Sequence, residues 1–254
     1  MRIFAANPGA LQRGFGFLAS RGRVVSLVGG GGKSTLMYFL ATTCAKQGKK
    51  VLVTTTTNIF LPDPGIYART EEDAQNLWKQ GKIAVIGTPM HGKGKLKEPD
   101  TGLMCSLMAQ ADITFVEADG SKHFPVKAPR EGEPVLLPEC DTVLAVMGLS
   151  AIGKPLKNVA FRMPEVTRLL GVEEDHILTE EDAARLLSSS FGGRKGVGDR
   201  EFCVVLNQCD DGPRRRSANL IAAYLERYDV YHVVMTAFDP DERECFNKMA
   251  GVKE

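Results

Sequence analysis

No acidic residue precedes Asp63 in this 254-residue chain, and no apolar run approaches the roughly 18 residues that a membrane-spanning helix needs. The six cysteines include no C-x-x-C pair, and the closest two, Cys203 and Cys209, are six positions apart. That spacing excludes a zinc knuckle and a disulfide framework. Four of the cysteines lie in apolar runs or helical patterns and read as small core residues in a reducing, cytoplasmic compartment. Aromatic residues are 7% of the chain, but with 43% hydrophobic and 25% charged residues it is neither disordered nor collagen-like, and it is long enough to bury a large core. The formal net charge of +1 offers no electrostatic case for a nucleic-acid or membrane partner.

The acid-free start is more informative than the total. Eight basic residues, Arg2, Arg13, Arg21, Arg23, Lys33, Lys46, Lys49 and Lys50, stand before the first carboxylate, leaving the remainder at a net −7. A basic first third suits a bound polyphosphate. The first 22 residues lack the long apolar centre of a signal peptide. They are expected to form a helical extension with Leu11, Phe15 and Leu18 on one face.

Apolar runs and helical patterns then alternate. Strands are expected at 23–28, 50–55, 83–86, 112–117, 142–147, 201–206 and 231–235. Helices are expected at 33–47, 71–80, 101–110, 164–170, 179–188, 214–228 and 240–249. Residues 88–100 carry turn chemistry, and 120–139, with four prolines, are irregular. Near-continuous apolar strands joined by helices predict an α/β fold in three layers, with a mostly parallel central sheet in a single domain over 1–254.

The strongest motif is Gly29-Gly30-Gly31-Gly32-Lys33-Ser34-Thr35, between a strand and a helix. Glycines let backbone N–H groups curl around phosphate oxygens, and the helix start adds its positive dipole end. Lys33, expected at the surface, would reach the β- and γ-phosphates, and Ser34 would ligate Mg²⁺. In the commoner G-x-x-x-x-G-K-[ST] pattern the first glycine falls on Leu27, so this loop is closer to the shorter P-loops of SIMIBI-type NTPases and peptidoglycan-type ligases. The expected ligands are GTP or ATP with Mg²⁺.

A second metal ligand is expected at a neighbouring strand end. The run Asp112-Ile113-Thr114-Phe115-Val116-Glu117-Ala118-Asp119 places Glu117 or Asp119 there, to hold Mg²⁺ or orient the attacking water. Thr55 and Thr56, within Thr54-Thr55-Thr56-Thr57-Asn58, could contact Mg²⁺ or the γ-phosphate, or could simply be β-branched strand residues. Asn207-Gln208-Cys209-Asp210 is similar to the N-K-x-D of GTPases, whose Asp accepts from guanine N1–H and N2–H₂. Thr236-Ala237 is similar to their S-A loop. Gln208 stands where that motif has lysine. Lys122, His123, Lys127 and Arg130 form either a switch-like loop or a solvated one. Arg214-Arg215-Arg216 read as a solvated face, and His91, Lys93, Lys95 and Lys97 as a hairpin tip.

Together VVSLVGGGGKST, KKVLVTTTTNIFLP, FVEADGSKHFPVKAPREGEPVLLP and VVLNQCD resemble the YqeC family of selenium-dependent molybdenum hydroxylase accessory proteins. The likeness runs from about residue 10 to the end. It implies a bacterial cytoplasmic P-loop protein that serves the maturation of a molybdenum hydroxylase, with that enzyme or its maturation proteins as partner. A homodimer is among the expected assemblies. The chain departs from the family's H-R-P-E-like block at Phe161-Arg162-Met163-Pro164-Glu165. Two other functions remain open: an ATP-dependent ligase or kinase for a small acid, with Lys122, Lys127 or Arg162 in a pocket beside the nucleotide, and a nucleotide-gated interaction protein without turnover.

Overall fold

The computed structural model describes residues 3–4 and 14–252. In chain order the strands are β1 Ile3–Phe4, β2 Arg23–Gly29, β3 Val51–Thr55, β4 Asn58–Phe60, β5 Ala84–Val85, β6 Thr88–Met90, β7 Lys95–Lys97, β8 Ile113–Glu117, β9 Val126–Lys127, β10 Thr142–Gly148, β11 Ala160–Phe161, β12 Glu201–Asn207 and β13 Val233–Ala237. The α-helices are α1 Lys33–Lys46, α2 Glu71–Lys79, α3 Thr101–Gln110, α4 Leu156–Val159, α5 Met163–Leu170, α6 Glu180–Ser188, α7 Gly212–Glu226 and α8 Pro240–Met249.

The main sheet has the order β1-β13-β12-β10-β2-β8-β3-β5, and every pairing in it is parallel. Alternate side chains of its strands feed opposite faces. Val25 and Leu27 of β2 pack with Leu36, Met37 and Leu40 of α1 and with the Phe238–Phe246 region around α8. On the other face Val143, Ala145 and Met147 of β10 meet α5, α6 and α7, while Leu52 and Val116 meet α2 and α3. The result is a three-layer α/β fold, with helices on both faces of the parallel sheet. Among the described residues no helix is long and apolar enough to cross a membrane.

Local chemistry explains the boundaries. Thr70 with Asp73 and Thr179 with Asp182 close capping boxes at the starts of α2 and α6. Asp211 caps α7 ahead of Pro213. Of the expected N-terminal helix, Leu11 lies outside the described residues. Ile3–Phe4 form an edge strand, and Gly16–Ala19 form a short 3₁₀ turn that buries Phe17 and Leu18. The 88–100 segment folds as a β6–β7 hairpin, which β4 extends to three antiparallel strands.

Candidate functional site

Because the strands are parallel, their carboxyl ends share one edge, and the glycine loop sits there at the end of the central β2. Gly29 and Gly31 adopt φ of 94° and 75°. A Cβ on Gly29 would lie 2.3 Å from the Val146 carbonyl oxygen, and one on Gly31 would lie 2.1 Å from the Gly148 nitrogen. Glycine is thus required both for its left-handed backbone and for close approach to β10. The Gly30 N–H donates to Val146 (2.9 Å) and the Gly31 N–H to the Phe124 carbonyl (3.0 Å). The amides of Lys33, Ser34 and Thr35, in the first turn of α1, have no acceptor within their own helix and lie at its positive end.

The register sets Glu117 beside Leu27 on one side and Thr55 on the other. The strand of the threonine run, β3, is therefore not next to the glycine-loop strand β2, because β8 lies between them. Ser34 Oγ donates to Glu117 Oε2 at 2.8 Å. Glu117 is buried, and burial drives its pKa up against the opposing pull of Lys33 and Ser34. Thr55 Oγ1 donates to the Glu117 carbonyl at 2.8 Å and accepts from the Thr57 N–H at 3.0 Å. One turn along α1, the Tyr38 hydroxyl is buried without a hydrogen-bond partner. Its pKa is pushed far up by burial and then by the Glu117 charge.

Asp119 turns elsewhere. It accepts from the Gly29 N–H through both oxygens (3.0 and 3.2 Å), and its carboxylate lies 3.2 Å from Lys33 Nζ and 3.1 Å from Lys127 Nζ. Lys33 also donates to the Gly29 carbonyl at 2.6 Å. The surface position expected for Lys33 is corrected: it is 3% exposed, because its ammonium folds back onto the loop and Asp119. The solvated-loop alternative is likewise corrected for Lys127. Its ammonium is buried between Asp119, Glu133 and the Gly120 carbonyl. The available signal was a lysine set between Val126 and Ala128, two residues of core character.

Burial alone would raise the Glu133 carboxyl, yet the bonds and charges of Lys127 and Arg162 hold it below its ordinary 4.5. A depressed carboxyl contributes stability above its unfolded-state pKa and loses it as pH falls through the folded-state value. The thermal midpoint of Glu133→Gln is therefore expected to lie below the parent's near neutrality, and the gap is expected to narrow on acidification below about pH 4.5. Melting curves of both proteins from about pH 7 to pH 3 check this, and a gap that is constant with pH contradicts it.

Asn207 is 3% exposed and has both ends of its amide engaged. Its Nδ2 donates to the Gly31 carbonyl at 2.8 Å, and its Oδ1 accepts from Thr236 Oγ1 at 2.9 Å. It ties the ends of β12 and β13 to the glycine loop. Gln208, at φ 66°, turns towards the Ser150 N–H. Asp210 keeps an exposed face and pairs with Arg214 (2.9 Å) and Arg243 (3.5 Å). The arginine run is thus partly committed, against the expectation of a purely solvated face. Sequence reasoning missed Arg243 and also Asn247, whose Oδ1 accepts from Thr35 Oγ1 at 2.9 Å. Both come from the last helix, which nothing local links to the glycine loop.

Cys44, Cys140, Cys203 and Cys209 are buried, while Cys105 and Cys245 are exposed. Among the described residues no group of three or more His, Cys, Asp or Glu side chains could hold a metal ion by itself.

A family model described as YqeC protein matches residues 25–164. The YqeC protein of Escherichia coli K12 is 32% identical over 108 residues, which is 40% of this chain and 42% of that protein. The chain thus spans less than half the length of this relative. Among solved structures, the MinC:MinD cell division complex of Aquifex aeolicus aligns over 88% of this chain and 86% of its own, at 14% identity and a TM-score of 0.44. The hydrogenase maturation factor HypB of Archaeoglobus fulgidus aligns over 95% and 94%, at 10% identity and a TM-score of 0.40.

Proposed function

The chain belongs to the YqeC family, and from that premise we propose that it is a Mg²⁺-dependent nucleotide-binding protein that slowly hydrolyses GTP or ATP. The observation that carries this is Ser34 hydrogen-bonded to the buried Glu117 under a glycine loop that ends in Lys33 at a helix start.

The donor set fits the cation. Ser34, Glu117 and Thr55 offer only oxygen, which suits hard Mg²⁺, and the unpartnered Tyr38 hydroxyl leaves a polar atom near Glu117. In the proposed site Ser34 and Glu117 hold the ion, directly or through water, and Thr55 fixes the Glu117 main chain. Bound there, Mg²⁺ would offset charge on the phosphate oxygens. Lys33 supplies the charge facing the β- and γ-phosphates, and the first-turn amides of α1 add their dipoles.

GTP is the favoured nucleotide. Asp210 is the member of its motif with an exposed carboxylate, whereas Asn207 serves the loop. Asp210→Asn is expected to weaken GTP and to improve xanthosine triphosphate, because the amide donates where the carboxylate only accepted. A mismatched base at such a fork costs about 1–3 kcal/mol. Competition binding with ATP, GTP and XTP on both proteins decides it, and equal ATP and GTP affinity in the parent would make 207–210 a plain turn.

The family resemblance extends the proposal to an accessory role, with turnover coupled to assembly of a cofactor in a molybdenum hydroxylase. Its test is loss of hydroxylase activity in cells lacking the chain, restored by the parent and not by Lys33→Ala. The acid-substrate alternative draws less support, since Lys127 and Arg162 are engaged with the chain's own carboxylates.

A further inference from the structure

From Lys33 outwards, charges of alternating sign run in contact to the surface. Lys33 Nζ faces Asp119 Oδ1 at 3.2 Å, and Asp119 Oδ2 faces Lys127 Nζ at 3.1 Å. Lys127 Nζ faces Glu133 Oε2 at 2.7 Å, and Glu133 Oε1 faces Arg162 Nη2 at 2.9 Å, with Arg130 Nε at 3.2 Å. Side-chain exposure rises from 0–3% for the inner three residues to 11% at Glu133 and 26% at Arg162. Each carboxylate divides its two oxygens between an inner and an outer cation. The Arg162 guanidinium lies 4.6 Å over the Phe161 ring, and its Nε is buried without a partner.

We propose that Lys127, Glu133 and Arg162 are positioning residues that set, through Asp119, how much of the Lys33 ammonium a nucleotide phosphate can claim. This rests on the nucleotide reading of the glycine loop. Asp119 holds the loop's first amide and its lysine together, so an incoming phosphate competes with an internal carboxylate for Lys33. Out of water such pairs are strong, and an ion held between two opposite charges loosens its hold on one as it is drawn towards the other. Weakening an outer link therefore has opposite effects on Lys33 at successive steps. With Glu133 neutral, Asp119 is the remaining carboxylate at Lys127, beside the Gly120 carbonyl; it is drawn towards Lys127, and Lys33 is freed. With Arg162 neutral, Glu133 draws Lys127 outwards, and Asp119 closes on Lys33. The exposed end at Arg162 and Arg130 is where a carboxylate or phosphate group from outside would act on the relay, and it would disfavour nucleotide.

The test is nucleotide titration with Mg²⁺ on single and double variants, each checked for folding by its thermal midpoint. Glu133→Gln is expected to tighten binding, and Arg162→Gln to weaken it, each by about three- to tenfold. A field acting through space would give the same signs, so the deciding arm repeats both substitutions in the Asp119→Asn background. There the charge that Lys33 and Lys127 share is removed, and both shifts are expected to fall to within about twofold of none. Shifts that persist undiminished in that background, or that are absent or of one sign in the parent, overturn the relay. If the parent binds neither ATP nor GTP, the nucleotide reading itself falls. The relay is then judged by competitive acylation of Lys33, followed by mass spectrometry on the same variants. Faster labelling in Glu133→Gln and slower in Arg162→Gln, both lost with Asp119→Asn, support it; equal rates overturn it.

Discussion

Lys33→Ala is expected to lower affinity for the nucleotide by about 10²-fold or more, the scale of losing a charge-assisted contact to phosphate. The variant does not isolate function cleanly, because Lys33 is buried against Asp119. Its removal leaves that carboxylate with Lys127 and the Gly29 amide, and the thermal midpoint is expected to drop as well. Lys33→Met keeps most of the side-chain volume and separates the two effects. Labelled GTP and ATP titrated against parent and both variants, beside melting curves, provide the measurement. Parental affinity in a folded Lys33→Met protein would remove the phosphate-site reading.

The second large effect is expected at Glu117. Glu117→Gln keeps the shape and an acceptor for Ser34 but loses the charge, so turnover is expected to fall by about 10²-fold with nucleotide binding largely kept. Steady-state hydrolysis and nucleotide affinity, both at saturating Mg²⁺, read the two terms separately. Since burial already disfavours the Glu117 charge, the variant is expected to fold at least as stably as the parent at neutral pH. Unchanged hydrolysis would leave Glu117 a structural cap at the end of β8 and would take away the main support for an enzyme.

Much of this architecture was legible because the strands are apolar runs buried on both faces, and because helix starts carry their own signals. Thr70 with Asp73 and Thr179 with Asp182 announce α2 and α6 in four residues each. The strand expected at 231–235 forms at Val233–Ala237, since Tyr231 is exposed and the buried positions, Val234 and Thr236, come later. The small β4–β7–β6 sheet was not legible. Its strands are three residues long, and their stability comes from one another and from buried Ile59 and Leu96.

At the site, residues read from local spacing meet where neighbouring strands end, and Ser34 does reach Glu117. Burial of Lys127 had a local mark in its apolar neighbours, but the partners in contacts between distant segments had none. Lys127 with Glu133 and Arg162, Asn207 with the glycine loop, and Asn247 with Thr35 depend on which strands become neighbours. Sequence spacing does not encode that order.

The position of β2 has a consequence for how the protein is made. Its glycine loop rests on Val146 and Gly148 of β10 and is tied by Asn207 of β12, which is itself held by Thr236 of β13. A ribosome that has released only the first hundred residues has released the whole motif but none of these supports. The loop reaches its final shape only after Thr236 has emerged, so a nascent fragment that stops short of it lacks the full set of supports. Such sequence-distant pairing also makes folding slow relative to a helical bundle of similar size. The shape of the glycine loop thereby depends on a residue made 176 positions after it.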